Sequence, residues 1–297
     1  MAGEGVMRAA WLLIALSGPA IAQTDSQHGE MPINGKPLAL KLPAHKEVVF
    51  RGVVNSDEGG MAPGGMMYPA PNPLAFLAAI ATHAIIMDGA KQHQTTRQQT
   101  EADKVLQPYQ TLIEKMDAKA MMNDALASST QGKHLKTVEA APHPPADSIL
   151  ESTPVFWMTA DQESIIVDNL LNIRHPGDAD KPAYSNVIRV ISTAHNAQAA
   201  QAYWTGNGSQ LSAIAVKLLA ESIDIGLNDA NAASSEAKPF RTIRYYEGGQ
   251  EKMERAQLLN ERCGRMILKT LRGTLMSVPK LKTVATQAAN ATCQSNL

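Results

Sequence analysis

Residues 74–87 read Leu-Ala-Phe-Leu-Ala-Ala-Ile-Ala-Thr-His-Ala-Ile-Ile-Met, and wound as a helix they put apolar side chains on every flank. Asn72 supplies an N-cap, and Pro73 suits the first helical position, where its missing N–H is not needed. The run falls short of the roughly 20 residues that span a bilayer, so protein or a membrane surface must cover it. Before it, Leu38, Leu40 and Leu42 alternate with smaller or charged residues, and a second apolar group follows at 48–54. These predict two strands, with a Gly- and Pro-rich loop after them. After it, a polar stretch at 91–103 either prolongs the helix or follows its end at Gly89. Leu112, Ile113, Met116, Ala120 and Leu126 predict an amphipathic helix beginning near Pro108.

The strongest strand pattern lies further on. Residues 155–158 are apolar, and Ile165, Val167, Leu171 and Ile173 share one face with Asn169, while Asp168, Asn172 and Arg174 mark the other. Residues 184–191 predict the next strand and 200–205 a fourth, with connections short enough for an antiparallel meander. Ser209 is placed to cap a helix whose stripe is Leu211, Ile214, Ala215, Leu218, Ser222 and Ile225. A hairpin turned at Gly248-Gly249 is predicted over 240–259. From Asn260, a last helix carries Cys263, Ile267, Leu271, Leu275 and Val278 until Pro279 stops it. The fold class predicted is α+β: an antiparallel β-meander packed by helices, with a buried apolar helix near the N-terminus and a C-terminal hairpin plus helix.

The first 22 residues read as a signal peptide. Arg8 gives a positive start, residues 9–16 an apolar core, and Ala20-Ile21-Ala22 a small-x-small cleavage pattern; Met7 is an alternative start. The chain is therefore expected in the periplasm or secreted, after cleavage near Ala22. Its parts are then 1–22, an N-terminal region at 23–127, a Pro-rich linker at 128–147 and an α+β region at 148–297. In such a compartment Cys263 and Cys293 are expected to form a disulfide, which contributes about 3–4 kcal/mol on the chain-entropy view. With 27 basic against 28 acidic residues, the balance argues against a nucleic-acid partner.

Motifs for chemistry are sparse. Gly206-Asn207-Gly208 precedes a helix, but the third glycine of a dinucleotide fingerprint would fall at Leu211, leaving a turn plus cap. Met61, Met66 and Met67 are copper(I) candidates by thioether softness, although methionine also packs beside apolar helices. His83 reads as a core histidine, and the remaining histidines show no ligand spacing. No cofactor is expected.

Residues 154–229 combine a long strand, a return strand at 187–193, the aromatic-plus-turn stretch Tyr203-Trp204-Thr205-Gly206-Asn207-Gly208 and a packed helix. This order resembles the small α+β domains of bacterial envelope proteins related to the curli secretion lipoprotein and the N-terminal domain of the Tol translocation protein. The resemblance implies an assembly or binding module with a protein partner in the envelope and no catalytic residues to carry over. Two alternatives stand beside it. One is attachment to a membrane surface or a partner through Leu74, Leu77 and Ile80 of the apolar helix. The other is a hydrolase or transferase whose residues converge only in the fold.

Overall fold

The computed structural model describes residues 37–54, 89–139, 147–177, 181–232, 238–262 and 264–281, with the backbone only for 89–95 and 207. The signal peptide, Met61, Met66, Met67, the helix carrying Leu74, Leu77, Ile80 and His83, and both Cys263 and Cys293 lie outside the described residues.

Ten strands among those residues form one mixed sheet: β1 (Leu38–Lys41), β2 (Phe50–Gly52), β3 (Lys136–Val138), β4 (Ser148–Met158), β5 (Ile165–Arg174), β6 (Tyr184–Ile191), β7 (Arg241–Glu247), β8 (Gln250–Arg262), β9 (Arg265–Thr270) and β10 (Leu275–Pro279). Their order is β3-β1-β4-β5-β6-β10-β9-β8-β7, with β2 also on β4. The α+β class is as expected. The purely antiparallel meander is not: β4-β5-β6 and β7-β8-β9-β10 each follow it, but β1 and β2 run parallel to the two halves of β4, β3 runs parallel to β1, and β10 returns parallel to β6. Within the stretch read as a linker, β3 pairs with β1, so chain from both sides of 128–147 enters the same sheet.

The helices are α1 (Gly89–Asp103), α2 (Ala118–Ser128), α3 (Ala200–Thr205) and α4 (Gln210–Asn231), with shorter helical turns between them. The helix expected from Pro108 is broken into a 3-10 segment, a single turn and α2. Its second start is set by Asp117, whose carboxylate accepts from the Ala120 N–H at 2.9 Å. Residues 200–205 are helical rather than a fourth strand. Trp204 is fully buried there and its indole N–H reaches the Gln162 carbonyl at 2.6 Å, an anchor that overrides aromatic strand propensity. Ser209 precedes α4 but makes no side-chain cap.

The last predicted helix is also corrected. Ile267 belongs to β9, Leu275 and Val278 to β10, and Leu271 lies exposed in the turn between them. Two short strands around a tight turn brought apolar residues near four-residue spacing, whereas the true period is two. Met266 and Leu268 face one side of the sheet while Ile267 packs toward the other.

The sheet separates two cores. On one face α4 packs across β5 and β6 with α2 beside it, burying Leu150, Phe156, Val167, Leu171, Ile188 and Ile223. The approach is close enough that a Cβ at Gly226 would stand 2.2 Å from Leu171 Cδ1. On the other face the β7–β8 hairpin folds over Ile166, Ile191, Met276 and Val278, and Tyr245 of β7 forms a bridge back to Lys280 just beyond β10.

Candidate functional site

The alternation of β5 and β6 turns Asp168 and Arg189 to the hairpin side, directly opposite each other in register. The guanidinium grips the carboxylate with two hydrogen bonds, Nε to Oδ1 at 2.9 Å and Nη2 to Oδ2 at 3.1 Å, and both side chains are at most 5% exposed. Glu247 of β7 brings a second carboxylate to 3.8 Å from Nη1, so the arginine links the sheet to the hairpin above it. Beside them burial pushes the Tyr245 phenol well above its ordinary value; Glu247 adds to the rise and Arg189 opposes it. Burial also raises the Glu254 carboxyl, against the pull of Arg272, a backbone hydrogen bond and Arg189. A tyrosine held neutral and a matched ion pair make a fastening.

The second polar cluster is the turn between β4 and β5. Asp161 accepts from Thr159 Oγ1 at 2.6 Å, from its own turn at the Glu163 N–H, and from the Gly249 N–H at 2.8 Å at the hairpin tip. Gln162 holds φ at 60°, a left-handed value that costs about 1–2 kcal/mol for a residue with a Cβ. Its carbonyl accepts from Trp204 and its side chain accepts from the Tyr109 hydroxyl at 2.5 Å, so two separate segments hold that conformation. His195 lies alongside, stacked on Tyr203 at 3.6 Å between ring centres, and burial lowers its tendency to take a proton.

On the helix face, α4 carries its own fastenings. Asp224 accepts from Ser129 Oγ at 2.6 Å and from the Thr130 and Gln131 N–H groups, holding the C-terminal end of α2. Glu221 accepts from Arg265 and from Ser277 Oγ, reaching β9 and β10. Asn169, the polar residue on the apolar side of β5, donates to Ser222 Oγ at 2.9 Å. Among the described residues the nearest approach to a nucleophile-and-base pair is Ser148 Oγ with His175 Nδ1, 2.7 Å apart. Ser148 is only 1% exposed at the start of β4, so the contact pins the turn after β5 and offers no hydroxyl to a substrate.

Sequence reasoning recorded Asp168 as a residue on the far face and overlooked Arg189. Each interrupts an apolar strand, Ile-Val-Asp and Val-Ile-Arg-Val, which is the signal for a buried pair. Asp161 and Glu163 are carboxylates at a strand start, and nothing in the sequence joins them to Gly249. Among the described residues no three His, Cys, Asp or Glu side chains are grouped to hold a metal, and no helix is long and apolar enough to cross a membrane. Compared with known proteins, the chain matches no protein-family model and no curated protein.

Proposed function

We propose that this is an exported envelope protein acting as a non-enzymatic module for binding or assembly. The observation that carries this reading is the employment of its buried and half-buried charges. Asp168 and Arg189 join β5 to β6 and reach the hairpin, half-buried Asp161 and Asp224 join elements distant in the chain, and the result is a braced platform. Export is supported by the Arg8, 9–16 and Ala20-Ile21-Ala22 pattern, and in that setting Cys263 and Cys293 form a disulfide and the partner is another envelope protein.

Fractionation of intact cells with mass measurement of the mature N-terminus tests the export, and crosslinking in the same cells tests the partner. The expected result is a chain beginning at Gln23 outside the cytoplasm and crosslinked to a protein. A chain that keeps its first 22 residues in the cytoplasm, or one that turns over an envelope substrate and crosslinks to nothing, would overturn the proposal.

A further inference from the structure

Of the four large apolar side chains exposed among the described residues, Tyr246 and Met253 sit on the outward face of the β7–β8 hairpin and Phe240 on the approach to it. The register defines that face. Thr242 stands opposite Arg255, Arg244 opposite Met253, and Tyr246 opposite Glu251, and all six are exposed. Their neighbours Ile243 and Tyr245 turn inward and are buried, so the hairpin presents one side to the core and one to solvent.

The outward side carries Arg244 and Arg255 against Glu251, an excess of one positive charge in a chain whose net charge is -1. Arg244 meets Glu251 at 3.1 Å, but the two are 62% and 41% exposed, a pair that solvent weakens and a competing carboxylate can replace. Arg255 makes no ion pair among the described residues, and Lys238 and Arg241 lie exposed where the chain runs into β7. Lys238 is also tied down, its Nζ donating to the Leu259 carbonyl at 2.6 Å while its own carbonyl accepts from Gln257. The hairpin itself is held from beneath by Arg189 and at its tip by Asp161, so the face is set before any partner arrives.

We propose that this outward face is the docking surface for an acidic, extended segment of a protein partner. Arginines receive its carboxylates, and its alternate apolar side chains rest on Tyr246 and Met253. Arginine presents a planar fork that matches carboxylate geometry, and tyrosine and methionine offer contact area that adapts to the partner. This deepens the module reading above and rests on it.

The test uses the full mature chain. A labelled synthetic peptide alternating Glu with Leu, and its counterpart alternating Lys with Leu, are titrated by fluorescence anisotropy. The expected result is saturable binding of the acidic peptide alone, weakened about tenfold or more by Arg244→Glu with Arg255→Glu and by added salt. Tyr246→Ser with Met253→Ser, which leaves the charges in place, is expected to weaken binding while keeping its salt dependence. Acidic-peptide binding that is unchanged in both double variants, or absent in the parent chain, would overturn the proposal. So would binding of vesicles rich in anionic lipid, or self-association of the chain, that depends on these same side chains while the peptide does not bind.

A photo-crosslinking residue placed at Met253, and separately at Thr137 on the opposite sheet edge, distinguishes this idea from the broader one. Protein crosslinks in intact cells from Thr137 alone would sink the hairpin surface and leave the module standing; crosslinks from neither site would likewise sink the hairpin surface, while the module is tested by crosslinking of the whole chain.

Discussion

The two faces of the sheet differ in where their charged fastenings stand and in how much apolar contact surrounds them. Under α4 the contact is mainly apolar and close, with Leu171 Cδ1 2.2 Å from where a Cβ at Gly226 would stand, and Glu221 and Asp224 fasten the helix to β9, β10 and the end of α2. Under the hairpin the apolar contact is smaller, and a buried carboxylate and guanidinium stand in its middle. A 22-residue helix can cover strands mostly by shape, because its stripe is continuous. A two-stranded hairpin offers one inward side chain in two, and isolated hairpins are marginal in water. The ion pair with Glu247, the tip bond to Asp161 and the bridge from Tyr245 to Lys280 supply position where area is short.

The sharpest way to break this contrast is to remove one carboxylate from the buried pair. Asp168→Ala takes from Arg189 the partner it holds with two hydrogen bonds, leaving Glu247 at 3.8 Å, and a loss of about 3 kcal/mol is expected in urea unfolding. The paired change Asp168→Leu with Arg189→Met is expected to cost less than the two single changes together, because the carboxylate and guanidinium leave together, while Glu247, at 12% exposure, loses its contact with the guanidinium. A double variant as damaged as the sum of its parts would mean that the pair is not acting as a unit.

Gly226→Ala probes the other face. Its new Cβ meets Leu171, so an overpacking cost of about 1–3 kcal/mol is expected, and Leu171→Ala in the same chain should relieve part of it. Asp117→Ala removes the cap of α2 and is expected to cost about 1 kcal/mol, with hydrogen exchange rising first in Ala118–Ser128 and not in the hairpin.

The smallest effect concerns pH, and it has opposite signs in two regions. His195 has its folded pKa lowered from 6.5 by burial, so its contribution to stability is present at higher pH and declines as pH falls below the unfolded value. Glu254 has its folded pKa raised from 4.5, so its contribution is present below the unfolded value and is lost as pH rises through the folded one. Hydrogen exchange measured between pH 6.5 and 4.5 should therefore show protection declining around His195 and growing in β8. His195→Gln should remove the first trend and Glu254→Gln the second.

Much of this contrast was present locally in the chain. Alternation along 165–173 assigned Ile165, Val167, Leu171 and Ile173 to one face and Asp168 to the other. The stripe from Leu211 to Ile225 marked α4, and Gly248-Gly249 marked the hairpin turn. These follow from periods of two and 3.6 residues, which depend only on near neighbours.

What the tertiary structure alone decided was every choice that depends on distant partners. It set the parallel seating of β1 and β2 on β4, the return of β10 beside β6, and the helical state of 200–205, secured when Trp204 found Gln162. It also turned the apparent helical spacing of 260–279 into strands, because β8 and β6 offered ladders on both sides. The meeting of Asp168 with Arg189, and of Asp161 with Gly249, belongs to the same class. Backbone and ionic pairing are completed by whichever group the fold brings within hydrogen-bond reach, and residues 21 or 88 positions away in sequence leave no periodic trace of that.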